Sequence, residues 1–146
     1  MEHTEYVVDA SVGVKLVVRE DSSDIAELFF ASIAQVPEGS LFVPDLFYAE
    51  CANVLWKYVR RSGCGRKNAY DDLASLYDLS LVAIPTPALT PTAFGLAVEL
   101  SISVYDACYV AASDLVGAPL VTADMRLLSR LSDTGCQAIS LEELAL

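Results

Sequence analysis

Four acidic side chains lie inside apolar stretches of this sequence, where a strand gives way to a helix or within a helix. They are Asp9 in YVVDAS, Glu50 in FYAECANVLW, Asp106 in SVYDACYVAA and Asp124 in PLVTADMRLL. An unpaired carboxylate is costly to bury, and it needs a cation, a partner charge or several hydrogen-bond donors. No basic residue directly adjoins any of the four acids. The pattern therefore favours a bound metal ion.

Other ligand types are scarce. Cys51, Cys64, Cys108 and Cys136 lack CxxC spacing, and the one histidine, His3, lies near the start of the chain. These residues predict neither a thiolate or histidine zinc site nor a Ser-His-Asp or Cys-His catalytic pair. We expect reduced, mostly buried thiols. Carboxylate oxygens suit Mg²⁺ or Mn²⁺, which need no nitrogen or sulfur ligand.

Length and composition predict one domain spanning residues 1–146, long enough to bury a full core. Hydrophobic residues make up 54% of the chain and the mean hydropathy is +0.44. Charges and turns interrupt the apolar stretches well before transmembrane length, so we expect no membrane span but a self-association or partner surface. The acidic start, MEHTEYVV, lacks the features of a secretory signal, which favours a cytoplasmic location.

The net charge of −11 argues against a protein that coats nucleic acid electrostatically. It leaves room for an enzyme that contacts nucleic acid locally. Positive charge is concentrated in one short stretch after Glu50, which holds Lys57, Arg60, Arg61, Arg66 and Lys67.

Short β-branched runs alternate with longer amphipathic runs, a pattern typical of βα units around a mainly parallel sheet. Strands are predicted over residues 6–8, 41–43, 81–84, 120–122 and 137–139.

Helices are predicted between these strands from apolar periodicity and from residues that cap or break helices. Ser11 is expected to cap the first helix, Ser22 or Ser23 the second, and Thr90, followed by Pro91, the fifth. The second helix is predicted to bury Ile25, Leu28, Phe29, Ile33 and Val36, and the fourth to present Tyr70, Leu73 and Tyr77 on one side. The predicted helical ranges are 12–18, 25–36, 45–62, 68–79, 91–101, 105–116 and 125–131.

These elements constrain where the acids lie. Asp9 and Asp124 each follow a predicted strand, and ligand sites of open parallel sheets lie outside the carboxyl ends of strands. Asp106 falls in the first turn of its helix, where negative charge is favourable. Glu50 falls in the second turn of its helix. Taken alone, it has the features of a solvent-facing helix former, and only the other three acids suggest a functional role.

Lys57 and Arg61 follow Glu50 at distances of seven and eleven residues, which returns them to nearly the same helical face. A carboxylate and then two cations along one face suit a metal followed by a phosphate backbone. A solvated basic helix end, favourably placed against the helix dipole, explains the cations equally well. Asn53, one turn after Glu50, could donate to a phosphate or be a buried, satisfied amide.

The segments VVDASV, PDLFYAECANVLWK, VYDACYVAAS and LVTADMRLL together resemble the PIN domain family, and the chain is similar to its VapC-type toxin ribonucleases. They span nearly the whole chain in the family's order and approximate spacing. The resemblance implies a five-stranded parallel sheet flanked by helices. It also implies a Mg²⁺- or Mn²⁺-dependent endoribonuclease, usually a homodimer, that a cognate antitoxin protein holds inactive.

The resemblance also places residues. Asp9 and Asp106 are expected to hold the principal ion, with Asp124 and Glu50 completing the cluster directly or through water. Ser11 and Thr122 match hydroxyls beside the acidic pocket, although helix capping or loop bonding would also account for them. Relatives often carry a further acidic or polar residue shortly after the fourth acid.

This chain has Met125, Arg126 and Leu127 in that place, which favours one tightly held ion. Arg126 either contacts the RNA strand or lies on a surface helix.

Two other classes compete with a nuclease. One is a non-catalytic PIN-like module that binds RNA or protein, and the complete set of four acids argues against it. The other is a phosphoacceptor domain like the response-regulator receivers, which need adjacent acids after the first strand and a late lysine. This chain has Val8, Asp9 and Ala10 after the first strand, and no lysine follows Lys67.

Overall fold

The computed structural model describes residues 3–63 and 65–144, and it contains one five-stranded sheet in the order β3-β2-β1-β4-β5. Every strand pair is parallel. This confirms the expected α/β fold with a five-stranded parallel sheet. Cys64, one of the four thiols, lies outside the described residues. The strands are β1 (Glu5–Val8), β2 (Ser40–Pro44), β3 (Leu81–Ile84), β4 (Leu120–Thr122) and β5 (Ala138–Ser140).

Helices connect the strands. The predicted existence of each helix is confirmed, and several boundaries are corrected below. The α-helices are α1 (Ala10–Gly13), α2 (Ser23–Ala34), α3 (Leu46–Ser62), α4 (Arg66–Tyr77), α5 (Thr86–Leu100), α6 (Val104–Val116) and α7 (Met125–Leu131), with 3-10 turns over Val14–Leu16 and Leu141–Leu144.

The strand order reverses at β1, and this reversal positions the acids. From β1 the chain adds β2 and then β3 on one side, whereas β4 and β5 are added on the other. Connections that leave adjacent strands toward opposite sides open a crevice at the carboxyl end of the sheet. Asp9 directly follows β1 and Asp124 follows the neighbouring β4. Both acids therefore stand at the crevice.

The core lies on both faces of the central strands. Val7, Val8 and Val43 are fully buried, as is typical of parallel strands covered by helices on each side. Helix α6 is buried from Ala107 to Ser113. The acid at its first turn, Asp106, is thus carried by one of the most firmly packed helices of the described structure.

The predicted start of α5 is wrong. The helix begins at Thr86, not after Thr90, and Pro91 lies inside it. Pro87 takes the early helical position that suits proline. Pro91 has no N–H to donate to the carbonyl of Pro87, and the Thr90 hydroxyl donates to that carbonyl instead, at 3.3 Å. The side chain of Thr90 thus compensates for the proline, and the helix continues through it.

The predicted capping serines are also corrected. Asp9, not Ser11, caps α1, since its side chain accepts from the backbone N–H of Val12, and the helix therefore begins at residue 10. Residue 22 holds the cap position of α2 in a left-handed conformation, with a φ of 67°, and makes no capping bond with its side chain. Its hydroxyl donates to Glu142, whereas the Ser23 hydroxyl accepts from the N–H of Glu20.

The predicted buried face of α2 is only partly correct. In α2, Leu28 is 54% exposed, and Phe30 is buried instead. Periodicity predicted the helix correctly, but tertiary packing rotated its buried face by about one residue. In α4, Tyr70 and Tyr77 are exposed, and the helix packs through Leu76.

No single helix of the described chain is both long enough and apolar enough to cross a membrane. Only α5 and α6 together meet such a criterion, and the chain bends by 115° between them.

Gly13 provides a stability test, because a Cβ atom there would lie 2.5 Å from Cζ of the buried Phe47. We expect Gly13→Ala to lower the free energy of unfolding by roughly 1–3 kcal/mol through overpacking. Gly95→Ala is the matched control, since nothing lies within 4 Å of its Cβ position in α5. It should raise stability by about 0.5–1 kcal/mol, the helix-propensity gain. Urea denaturation measures both, and equal effects would contradict this packing.

Candidate active site

Asp9 is the most buried of the four acids, with 5% of its surface exposed. Its Oδ1 accepts hydrogen bonds from the Ser11 hydroxyl and from the N–H of Val12, the latter at 3.2 Å. Its Oδ2 accepts from the Thr122 hydroxyl. The carboxylate is thus held between the start of α1 and the end of β4.

The same two hydroxyls fix the loop that carries Asp124. Ser11 Oγ accepts from the N–H of Ala123 at 2.9 Å, and Thr122 Oγ1 accepts from the N–H of Asp124 at 3.0 Å. Ser11 and Thr122 therefore act as loop-bonding groups, and both also contact Asp9 directly. The alternative of simple helix capping is ruled out for Ser11 by this geometry.

Asp124 caps the short helix α7. Its Oδ1 accepts from the N–H groups of Arg126 and Leu127, at 3.0 and 3.1 Å. Asp106 lies in the first turn of α6, where its backbone N–H donates to the Ser103 hydroxyl at 3.0 Å. Both acids thus stand at the positive ends of helix dipoles, where a carboxylate is favourable.

Glu50 reaches the site from α3, in the second turn as predicted. The hydroxyl of Tyr109 donates to its Oε1 at 2.6 Å. Tyr109 is 1% exposed and lies on α6, one turn after Asp106. This hydrogen bond thus joins the two helices that carry Glu50 and Asp106.

These side chains line one cleft of about 730 Å³. Of the predicted residues, the four acids, Ser11, Asn53 and Lys57 line it together. Thr122 is fully buried behind the cleft, in contact with Asp9. Arg61 and Arg126 are exposed and lie outside the lining. The full lining is Asp9, Ala10, Ser11, Val14, Leu46, Ala49, Glu50, Asn53, Val54, Lys57, Tyr105, Asp106, Tyr109 and Asp124.

The acids repel one another in a partly buried site. Burial raises the pKa of Asp9 to about 6 despite its hydroxyl and amide donors, and the Asp106 charge adds to the effect. Burial and the Asp124 charge raise the pKa of Asp106, and burial and the Asp106 charge raise the pKa of Glu50. No ion pair to any of the four acids occurs among residues 3–63 and 65–144.

This charge imbalance suits a divalent cation. The side chains that line the cleft offer only oxygen atoms as metal donors, and the nearby Cys51 thiol is not part of the lining. An ionised carboxylate accepts at about four sites. Asp9 uses three of them in this network, which leaves an acceptor position at Oδ2.

In the described part of the chain, no three acidic, histidine or cysteine side chains stand close enough to hold an ion by themselves. Water would therefore complete the coordination, as Mg²⁺ prefers, with one or two carboxylates bound directly. The residues fit such an ion on these terms.

Tyr109 and Tyr105 also line the cleft, and neither was predicted as a site residue. Both lie within the motif SVYDACYVAA, and Tyr109 follows Asp106 by three residues. Helical spacing places such a residue one turn further along the same side, so this signal was present in the sequence. The partner that Tyr109 contacts is 59 residues away and was not predictable from spacing.

A parallel sheet whose crevice gathers acidic side chains at the carboxyl ends of β1 and β4 defines an α/β protein with an acidic, oxygen-lined site. A family model, the PIN domain, matches residues 6–133. Ribonuclease VapC3 from Pyrobaculum aerophilum is 35% identical over 126 residues, which are 85% of this chain and 92% of that protein. The chain belongs to the PIN domain family, which confirms the resemblance found in the sequence.

Solved structures agree on the fold. The crystal structure of PAE2754 from Pyrobaculum aerophilum matches with a TM-score of 0.70 and 26% identity, over 97% of this chain and 93% of that one. A chain of a toxin-antitoxin complex from Klebsiella pneumoniae matches with a TM-score of 0.64 and 14% identity, over 93% and 97% of the two chains.

The raised pKa of Asp9 predicts a pH dependence of stability in chelator. The folded protein keeps the Asp9 proton up to about pH 6, whereas the unfolded chain loses it near the ordinary 3.8. The stabilisation of the fold by protonated Asp9 is fully present below pH 3.8 and is lost as the pH rises through about 6. The two values correspond to roughly 3 kcal/mol of unfolding free energy.

Asp9→Asn has no carboxyl proton to lose at this position. Between pH 4 and pH 8, the free energy of unfolding of the variant should therefore rise relative to that of the wild type. Urea unfolding at several pH values measures the difference. Glu38→Gln removes the same charge from an exposed position and is the control. A difference between wild type and Asp9→Asn that stays constant from pH 4 to pH 8 would count against the buried acid.

Proposed function

We propose that this chain is a Mg²⁺- or Mn²⁺-dependent endoribonuclease and the toxin of a type II toxin-antitoxin pair. The observation that carries the proposal is the cleft in which Asp9, Glu50, Asp106 and Asp124 come together. The 35% identity to a ribonuclease and the fold shared with a toxin-antitoxin complex support it.

Asp9 and Asp106 hold the principal ion, and Asp124 and Glu50 complete the cluster directly or through water. When bound, the ion supplies Lewis acidity that activates water and offsets negative charge at the phosphate. One ion suffices, because the positions after Asp124 add no further acid.

The chain's own groups orient the reactants. Asp9 is immobilised by its three donors, so it presents a fixed acceptor at the crevice. Tyr109 donates to Oε1 of Glu50, which leaves the other carboxylate oxygen free to accept a hydrogen bond from the attacking water. No histidine lines the cleft, so carboxylates and water handle the proton.

Cations near the cleft bind the RNA backbone. Lys57 lines the cleft and meets the phosphates nearest to the cleaved bond. Arg61 follows one turn later on α3 and binds further along the strand, and Arg126 does so from α7. Asn53 donates to a phosphate oxygen at the cleft wall.

A cognate antitoxin protein holds the enzyme inactive, and the active unit is a homodimer in the cytoplasm. Exposed apolar side chains, among them Phe94, Val98 and Leu115, supply surface for such contacts.

Asp106→Asn should abolish cleavage of RNA in Mn²⁺ while sparing the fold, because the substitution keeps the shape of a half-buried side chain and removes its charge. Gel analysis of a pool of structured and unstructured RNAs, with Mn²⁺ or with chelator, measures this. The products should carry a 5′-phosphate and a 3′-hydroxyl. A 2′,3′-cyclic phosphate, or full activity of the variant, would refute the mechanism.

Intact RNA in every lane, with no Mn²⁺ binding by calorimetry, would instead favour the non-catalytic binding module.

Lys57→Ala should raise KM for RNA about tenfold and leave kcat nearly unchanged, since one charged hydrogen bond contributes about 1.5 kcal/mol or more to binding. Lys67→Ala removes the same charge from α4, outside the cleft lining, and is the control. Steady-state cleavage of a short oligonucleotide gives both constants. Equal effects of the two substitutions would show that Lys57 acts only through long-range charge.

A further inference from the structure

The hydrogen bond between Tyr109 and Glu50 links α6 to α3, the helices that carry Asp106 and Glu50. Tyr109 Oη donates to Glu50 Oε1 at 2.6 Å, across a separation of 59 residues. The tyrosine ring is packed in the core at 1% exposure, and its hydroxyl emerges at the cleft. The phenol is thus rigid, whereas Glu50 lies on an amphipathic helix with a flexible side chain.

Within residues 3–63 and 65–144, the Tyr109 hydroxyl is the only hydrogen-bond donor to the Glu50 carboxylate. Asp9, by contrast, has three donors, and Asp124 has two. The orientation of Glu50 therefore depends on a single group. A buried tyrosine hydroxyl needs a partner for its own stability, and here that partner is a cleft acid and not a backbone carbonyl.

Tyr109 donates its one hydroxyl proton to Glu50 Oε1, and its ring is buried in the core. Its effect on the reaction therefore has to pass through the carboxylate that it holds.

We propose that Tyr109 is a positioning residue, which fixes the Glu50 carboxylate at the distance from Asp106 that the divalent ion and its water require. This inference rests on the proposed metal-dependent nuclease. Asp106 precedes Tyr109 by one turn of the same rigid helix. The hydrogen bond therefore sets the Glu50 carboxylate relative to Asp106, although Glu50 belongs to α3.

Removal of the Tyr109 hydroxyl tests the positioning role. Groups that orient metal-site carboxylates typically change metal affinity or activity by 10–100-fold when they are lost. Tyr109→Phe should weaken Mn²⁺ binding, measured by calorimetry without RNA, by about 10–100-fold. It should lower kcat to a similar extent and leave KM for RNA unchanged, because Tyr109 does not contact the phosphate backbone.

Ser113→Ala is the matched control. It deletes a buried hydroxyl one turn further along α6, which donates to the carbonyl of Ala118 at the opposite end of the sheet. Both variants should lose thermal stability, but only Tyr109→Phe should lose Mn²⁺ affinity. Equal Mn²⁺ affinity in the two variants and the wild type would overturn the proposal and leave Tyr109 a structural role alone.

A double-mutant cycle shows whether the effect passes through Glu50. In the Glu50→Gln background, adding Tyr109→Phe should change Mn²⁺ affinity less than twofold, whereas independent, additive losses would contradict the proposal. Calorimetry of Mn²⁺ binding by the wild type separates the failure of the nuclease proposal from the failure of the positioning role of Tyr109. A wild type that binds Mn²⁺ but cuts no RNA would defeat the nuclease and leave the positioning role to be judged by binding. A wild type that does neither would defeat both.

Discussion

The burial of the Asp9 carboxylate at the end of the central strand is the constraint on which the rest of the site depends. A carboxylate with 5% exposure is tolerated only because two hydroxyls and one backbone N–H donate to it. Those hydroxyls, on Ser11 and Thr122, also bind the N–H groups of the segment after β4. The hydrogen bonds that stabilise the buried Asp9 carboxylate therefore also fix the loop that carries Asp124.

Repulsion among the acids, and the position of the basic residues relative to them, are the main electrostatic features of the molecule. The pKa values of Asp9, Glu50 and Asp106 are all raised by burial first and by neighbouring acids second. This repulsion destabilises the fold. Packing on both faces of the sheet and the burial of helix α6 offset that destabilisation. The net charge of the chain is −11, and positive charge near the acids is local. Helix α3 carries basic residues beyond Glu50, and Lys57 among them lines the cleft.

Much of the fold followed from local patterns, because strands and helices differ in periodicity and the breakers are unambiguous. The five strands and the long helix that carries Glu50 were predicted nearly to the residue. The errors share one cause, which is that local signals compete with tertiary contacts. Thr90 and Pro91 had the appearance of a helix start, but Thr86 and Pro87 begin the helix one turn earlier. Ser11 had the appearance of a cap, but the buried Asp9 both caps the helix and holds the serine hydroxyl.

The acidic character of the site, with four carboxylates in apolar surroundings, and the family to which the chain belongs were predictable from the sequence alone. The elements that carry each acid were predictable as well, since those depend on short-range spacing. Which other groups join the acids depends on tertiary contacts. Lys57 enters the cleft lining whereas Arg61 does not, and Tyr109 reaches Glu50 from another helix. Such contacts depend on where the fold places α3 relative to α6, and helical spacing within a single segment holds no information about that placement.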